Sequence, residues 1–159
     1  MTLELDNAGQ RAVLALHLAG FDAAALPTQL LDAQPQDSFE LSFERADGGA
    51  LVLAFDAASA RFELEESLGT ELPADRDELA LMLNASLEPH QRIGKHPETR
   101  RLFASASLSQ AQAEVSALAA ELDAIARLAQ LLREAGPNRH AGEPGAPGAR
   151  QAPDWALRA

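Results

Sequence analysis

The chain has 159 residues, with 13 Lys+Arg against 24 Asp+Glu, a formal charge of −11 and no cysteine. This length suits one domain. The acidity excludes a phosphate-neutralising nucleic-acid binder, and the missing thiols exclude a disulfide framework, a thiolate zinc site, an iron–sulfur centre and a cysteine nucleophile.

The apolar set holds 34 Ala and 26 Leu but only three Val and two Ile. Propensity therefore favours helix, and strands have to be read from alternation and turn chemistry. The acidic start, Met1 to Asp6, lacks the basic region and unbroken apolar run of a signal peptide. No stretch approaches the roughly 18–20 apolar residues that span a bilayer. A cytoplasmic chain with no membrane insertion is expected.

The first element is a helix. Asn7 with Gln10 matches a capping box. Ala12, Val13, Leu16 and Ala19 share a face, with Leu14 and Leu18 beside it, and Gly20 is a stop signal. Asp22 to Asp32, broken by Pro27, reads as a short irregular or helical stretch. The period then changes from 3.6 to 2. Phe39, Leu41 and Phe43 point one way, and Glu40, Ser42 and Glu44 the other. Asp47-Gly48-Gly49 supplies a hairpin turn. Leu51, Leu53 and Phe55 continue the alternation. After a turn at Asp56 to Ser59, Phe62, Leu64 and Glu66 alternate with Glu63 and Glu65. Three antiparallel strands with one buried and one acidic face follow.

Asp75 with Glu78 opens a second helix, placing Leu79, Met82, Leu83 and Leu87 on one side before Pro89. A second hairpin spans residues 91–108. Arg92 to His96 and Arg100 to Leu108 flank Pro97-Glu98-Thr99. The last helix opens at a capping pattern, Ser109 with Gln112. Val115, Leu118, Leu122, Ile125, Ala129 and Leu132 step by three and four, and Gly136-Pro137 ends it. Leu128 and Leu131 widen the stripe, which favours packing on a sheet over a coiled-coil seam.

Residues 136–159 hold four Gly and four Pro, with Trp155 and Leu157 as the only large apolar groups. That composition reads as a mobile tail following a folded body of residues 1–135. The tail has three Arg and two acidic residues. The body therefore keeps 10 basic and 22 acidic residues, net −12.

No reactive constellation emerges. No serine lies in a G-x-S-x-G elbow, and His17, His90, His96 and His140 fall in no metal-binding spacing. Glu63 with Glu65, and Asp75 with Asp77 and Glu78, read as a solvated strand face and a helix first turn rather than catalytic pairs. Neither a catalytic residue, a metal nor a cofactor is expected. Residues 91–101, with Arg92, Lys95, Arg100 and Arg101 against Glu98, stand out as basic in an acidic chain. Edge protection and docking to an acidic partner both account for such a hairpin.

The α-β-β-β-α-β-β-α order, size and acidity resemble the class I type III secretion chaperones, the Tir-chaperone-like or CesT-like group. The likeness covers residues 8–135. It is concentrated in Glu78-Leu79-Ala80-Leu81-Met82-Leu83-Asn84-Ala85-Ser86-Leu87, Ile93-Gly94-Lys95-His96-Pro97-Glu98 and Leu102-Phe103-Ala104-Ser105-Ala106-Ser107-Leu108-Ser109. The Pro/Gly tail and the segment Asp22 to Asp32 depart from the family pattern.

The resemblance implies an α+β fold, a twisted antiparallel sheet packed by helices, in a bacterial cytoplasmic homodimer without enzymatic activity. It implies binding of the N-terminal segment of a secreted effector, kept secretion-competent and released at the secretion ATPase. The expected dimer interface is Leu79, Met82, Leu83, Leu87, Ile93 and Leu102. The expected effector-binding set is Val13, Leu16, Leu41, Phe43, Leu53, Phe55 and Leu64. The competing readings are a regulatory interaction domain of the same fold and a small α+β enzyme with an unrecognised site.

Overall fold

A computed structural model describes residues 7–32, 37–69, 72 and 75–134. The expected tail, 136–159, lies outside the described residues. The elements are α1 (Ala8–Leu18), two 3-10 turns (Ala23–Ala25 and Thr28–Asp32), β1 (Phe39–Glu44), β2 (Ala50–Asp56), β3 (Arg61–Ser67), α2 (Asp75–Asn84), β4 (Gln91–Lys95), β5 (Leu102–Ser109) and α3 (Val115–Glu134). The α-β-β-β-α-β-β-α order expected from the residues is the observed one.

The five strands form one antiparallel sheet in the order β1-β2-β3-β5-β4. The second hairpin joins the first three strands through β5, which leaves β4 and β1 at the edges. The register builds continuous apolar rows on one face. Phe39, Phe55, Phe62 and Leu108 lie side by side, as do Leu41, Leu53, Leu64 and Ala106. Phe55 packs on Phe62 with ring centroids 4.9 Å apart. α3 covers this face with Leu118, Leu122, Ile125, Ala129 and Leu132, all buried, and α1 packs beside α3. A wide apolar stripe suits a helix lying on a sheet, as the sequence pattern implies.

Helix ends follow the capping logic with one exception each way. The Asn7 side chain accepts from the Gly9 and Gln10 amides, capping α1. The reciprocal arm of the capping box is absent, because the Gln10 side chain donates to the Leu31 carbonyl instead. Gly20 adopts a positive φ of 93°, and the Phe21 amide returns to the Leu16 carbonyl. This is a left-handed helix stop that a residue with a Cβ would strain. α3 starts at Val115, six residues after Ser109, because Ser109 ends β5 and its carbonyl closes a turn with the Gln112 and Ala113 amides.

α2 ends at Asn84, short of Pro89. Leu79, Leu83 and Leu87 pack, half-buried, against the core, but Met82 does not share their side. Met82 is 57% exposed and stands beside Leu81, which is 72% exposed. The Arg76 guanidinium donates to the Leu132 carbonyl and fixes α2 to the end of α3.

Candidate functional site

Three surfaces carry features that the core does not explain: a groove beside α1, the outer side of α2, and the open face of the sheet.

The groove is built by the helix stop. The left-handed turn at Gly20 brings Phe21 against Phe43 of β1, with centroids 4.9 Å apart. Arg45, just past β1, lies over the Phe21 ring at 5.8 Å. Its guanidinium bonds Glu66 on β3, with Nε and Nη2 each 2.9 Å from Oε1. Glu66 is buried on the helix-covered face, between Leu51 and Ala104 in the register. A buried carboxylate needs such a partner, because desolvation without one costs several kcal/mol.

Ala19, Gly20, Phe21, Arg45 and Leu51 line one part of the groove, and Leu122, Asp123 and Ala126 of α3 line the rest, around about 270 Å³. Leu18, 62% exposed, ends α1 immediately before these residues. β1 runs alongside as an edge strand, and no other described strand pairs with its outer side. An apolar groove beside an unpaired strand edge can take an extended peptide, with backbone pairing for grip and side-chain pockets for selection.

A locked corner stands next to this groove. Asp47, in the β1–β2 turn, accepts from the Gly49 amide at 2.9 Å, the Gly69 amide at 3.3 Å and Arg133 Nε at 2.9 Å. Partial burial pushes the Asp47 carboxyl up. The two amides and the Arg133 cation outweigh it and hold the group below the ordinary carboxylate value. The same contacts tie the end of α3 to the turn that follows Arg45.

On α2, Leu81 and Met82 are adjacent exposed apolar side chains on a short helix. Single exposed hydrophobes are ordinary, but two together on an element whose other side is packed form a patch.

The open sheet face is polar. A cleft of about 700 Å³ is lined by Glu40, Arg61, Glu63, Glu65, Arg92, Ser105 and Ser107 over a floor of Val52 and Ala54, with Pro89, His90 and Gln91 at its side. Arg61, Glu63 and Glu65 have partners. Arg61 and Glu63 both bond the Ser107 hydroxyl, and His96 meets Glu65 at 3.0 Å. The Phe103 ring lies between Arg92, at 5.5 Å, and His96, at 4.5 Å. Lys95 of the basic hairpin bonds Asp77 at 2.8 Å. His90 meets Glu121 at 2.5 Å, and Gln91 bonds the same carboxylate. These histidines and carboxylates are structural pairs between elements. Among the described residues no group of three or more His, Asp or Glu is placed to hold a metal ion. No described helix is long and apolar enough to cross a membrane.

The residues singled out from sequence divide sharply. Of the expected effector-binding set, Leu41 and Phe43 are half-buried on β1, and Phe43 packs on Phe21 of the groove. Val13, Leu16, Leu53, Phe55 and Leu64 are buried within the protomer. Their side chains form part of the core of the described protomer, which corrects the expectation that they lie exposed to a partner. Ile93 and Leu102 of the expected dimer interface are likewise buried, because β4 and β5 turn them toward the helix-covered face. Leu79, Leu83 and Leu87 are shared with the core, and Met82 is the exposed member. The sequence reading missed Phe21, Arg45, Leu122 and Ala126 of the groove, and Leu18 and Leu81 as exposed apolar groups. Leu18 and Leu81 carry a signal, since each falls outside the apolar stripe of its helix. Arg45 and Ala126 carry none.

No family model matches the chain, and no curated protein matches it in sequence. Solved structures do match in fold. A chain of the ExsC–ExsE complex superposes with a TM-score of 0.56 at 17% identity, over 80% of this chain and 96% of that one. A chain of the HopA1–SchA chaperone–effector complex superposes with a TM-score of 0.52 at 20% identity, over 84% of this chain and all of that one. The α+β architecture is thus one found in chaperone–effector complexes.

Proposed function

We propose that this chain is a bacterial cytoplasmic chaperone of the class I type III secretion kind. It has no enzymatic activity and holds the N-terminal segment of a secreted effector in extended form. The observation that carries this reading is the groove beside α1, lined by Phe21 and Ala126 between Arg45 and Asp123, near an edge of β1 that no other described strand pairs, on a fold shared with a chain of a chaperone–effector complex. An extended client adds to the β1 edge and drops apolar side chains against Phe21 and Ala126. Leu41 and Phe43 border that path. The acidic body keeps the loaded protein soluble.

The chain acts as a homodimer, and the surface for it is the outer side of α2. Leu81 and Met82 are exposed in the protomer, and a two-fold contact through one helix buries the same patch twice. Release of the client takes place at the secretion ATPase.

The test is co-expression with N-terminal segments of type III secreted proteins from the source organism. A groove variant, Ala126→Glu, runs beside the native chain. A segment retained by the native chain and lost from the folded variant supports the reading. Retention of none of the segments overturns it.

A further inference from the structure

We propose that residues 154–159, Asp-Trp-Ala-Leu-Arg-Ala, are a tethered occupant of the groove beside α1, so that the chain carries its own competitor for the client. This rests on the groove being a peptide-binding site and adds regulation to it.

Four observations converge. First, composition divides the segment after α3 into two parts. Residues 136–153 hold all four of its Gly and all four of its Pro, and no large apolar group. Residues 154–159 hold the only Trp in the chain, with Leu157 two positions on. A Gly/Pro spacer followed by a short apolar peptide is the composition of a tethered ligand.

Second, the attachment point is fixed beside the groove. Arg133 bonds Asp47, two residues beyond Arg45. Leu122 lies 12 residues before the end of α3, about 18 Å along the helix. The 19 residues from 135 to 153 span up to about 60 Å when extended, so residues 154–159 reach the groove easily.

Third, charges of both signs stand at the groove. Arg45, which is bonded to Glu66, and Asp123, which is bonded to Arg127, flank Phe21 and Ala126. The peptide has an anion, Asp154, and a cation, Arg158, around Trp155 and Leu157.

Fourth, about 270 Å³ suits one large side chain with its neighbour rather than a long folded element. Trp155 is the only side chain after α3 of that bulk.

Tethering places the peptide at an effective concentration on the order of millimolar. A weak peptide therefore occupies the groove when no client is present, and a tighter client displaces it. The free protein would keep its apolar groove covered.

The sole Trp and the absence of Tyr make intrinsic fluorescence a direct reading. The full-length chain is compared with a synthetic peptide of residues 150–159, by emission maximum and acrylamide quenching. The expected result is a blue-shifted, several-fold less quenchable indole in the full chain, unchanged on dilution. In Ala126→Glu the emission returns to that of the peptide while circular dichroism is unchanged. Emission in the native chain identical to the free peptide overturns the proposal without any variant. A shielded indole that persists in folded Ala126→Glu, or that depends on protein concentration, also overturns it. None of these outcomes bears on client capture, so the peptide proposal fails separately from the chaperone reading.

Discussion

The side chain of Asn84 brackets the backbone of Ile93. Its Oδ1 accepts the Ile93 amide and its Nδ2 donates to the Ile93 carbonyl, each at 2.7 Å. An amide side chain at the end of α2 thus stands where a sixth strand would pair with β4. It closes one edge of the sheet, while β1 keeps the other open among the described residues. Under the proposed function, this asymmetry leaves β1, near the groove, as the edge for strand addition.

Removing that bracket opens the wrong edge. Asn84→Ala leaves an Ile93 amide and carbonyl without their partners, at a cost of about 1–3 kcal/mol. Urea unfolding should show that loss, and light scattering should show self-association through the freed β4 edge. A variant as stable and monodisperse as the native chain would remove the bracket from the account.

The Arg45–Glu66 pair behaves as a unit. Arg45→Met alone leaves the buried Glu66 carboxyl without its partner, and should cost about 3–5 kcal/mol. Adding Glu66→Leu should recover most of that loss, because the site then becomes apolar between Leu51 and Ala104. Equal destabilisation in the single and double variants, measured by urea unfolding, would show that the carboxylate is not the cause.

Asp47 makes the β1–β2 corner sensitive to acid. Its folded pKa lies below the unfolded value, so its contribution to stability is fully present above the unfolded value and is lost as pH falls through the folded one. The native chain should lose stability below about pH 4 more steeply than Asp47→Asn, while at pH 7 the variant should be the weaker of the two. Parallel pH profiles would contradict this.

The outer side of α2 is predicted to set the oligomeric state. Leu81→Lys with Met82→Lys changes two exposed side chains, so circular dichroism and melting should hold. Sedimentation should move from dimer to monomer. An unchanged dimer would place the interface elsewhere.

Gly94 makes room for Phe103. A Cβ there would come within 2.5 Å of the ring's Cζ. Gly94→Val should therefore displace Phe103 from its place between Arg92 and His96, at about 1–3 kcal/mol. Thermal melting measures the cost.

Hydrophobic period was enough to locate the helices and strands. Phe39, Leu41 and Phe43 alternate along β1, and Leu118, Leu122, Ile125 and Ala129 form the buried face of α3. The same signal misdirects a search for binding residues. Period identifies the face that is buried, so Val13, Leu16, Leu53, Phe55 and Leu64 were bound to be core. The apolar groups left exposed are those that fall off the stripe, such as Leu18 and Leu81. The groove is less legible still. Phe21, Arg45 and Ala126 come from three parts of the chain, and only the Gly20 turn and the sheet register bring them together. The second helix misled for a related reason. Met82 neighbours Leu79 at helical spacing, yet the packed side of α2 centres on Arg76, Leu79, Ala80 and Leu83, and Met82 falls past its edge toward Leu81.

The proposed client path runs along β1 and into the groove beside α1. Hydrogen–deuterium exchange on the chain, free and in complex with a co-expressed effector N-terminal segment, follows that path amide by amide. The expected result is new protection in Phe39–Glu44 and around Phe21, with little change in the basic hairpin of residues 91–101. Protection confined to that hairpin, with β1 amides exchanging as in the free protein, would contradict it.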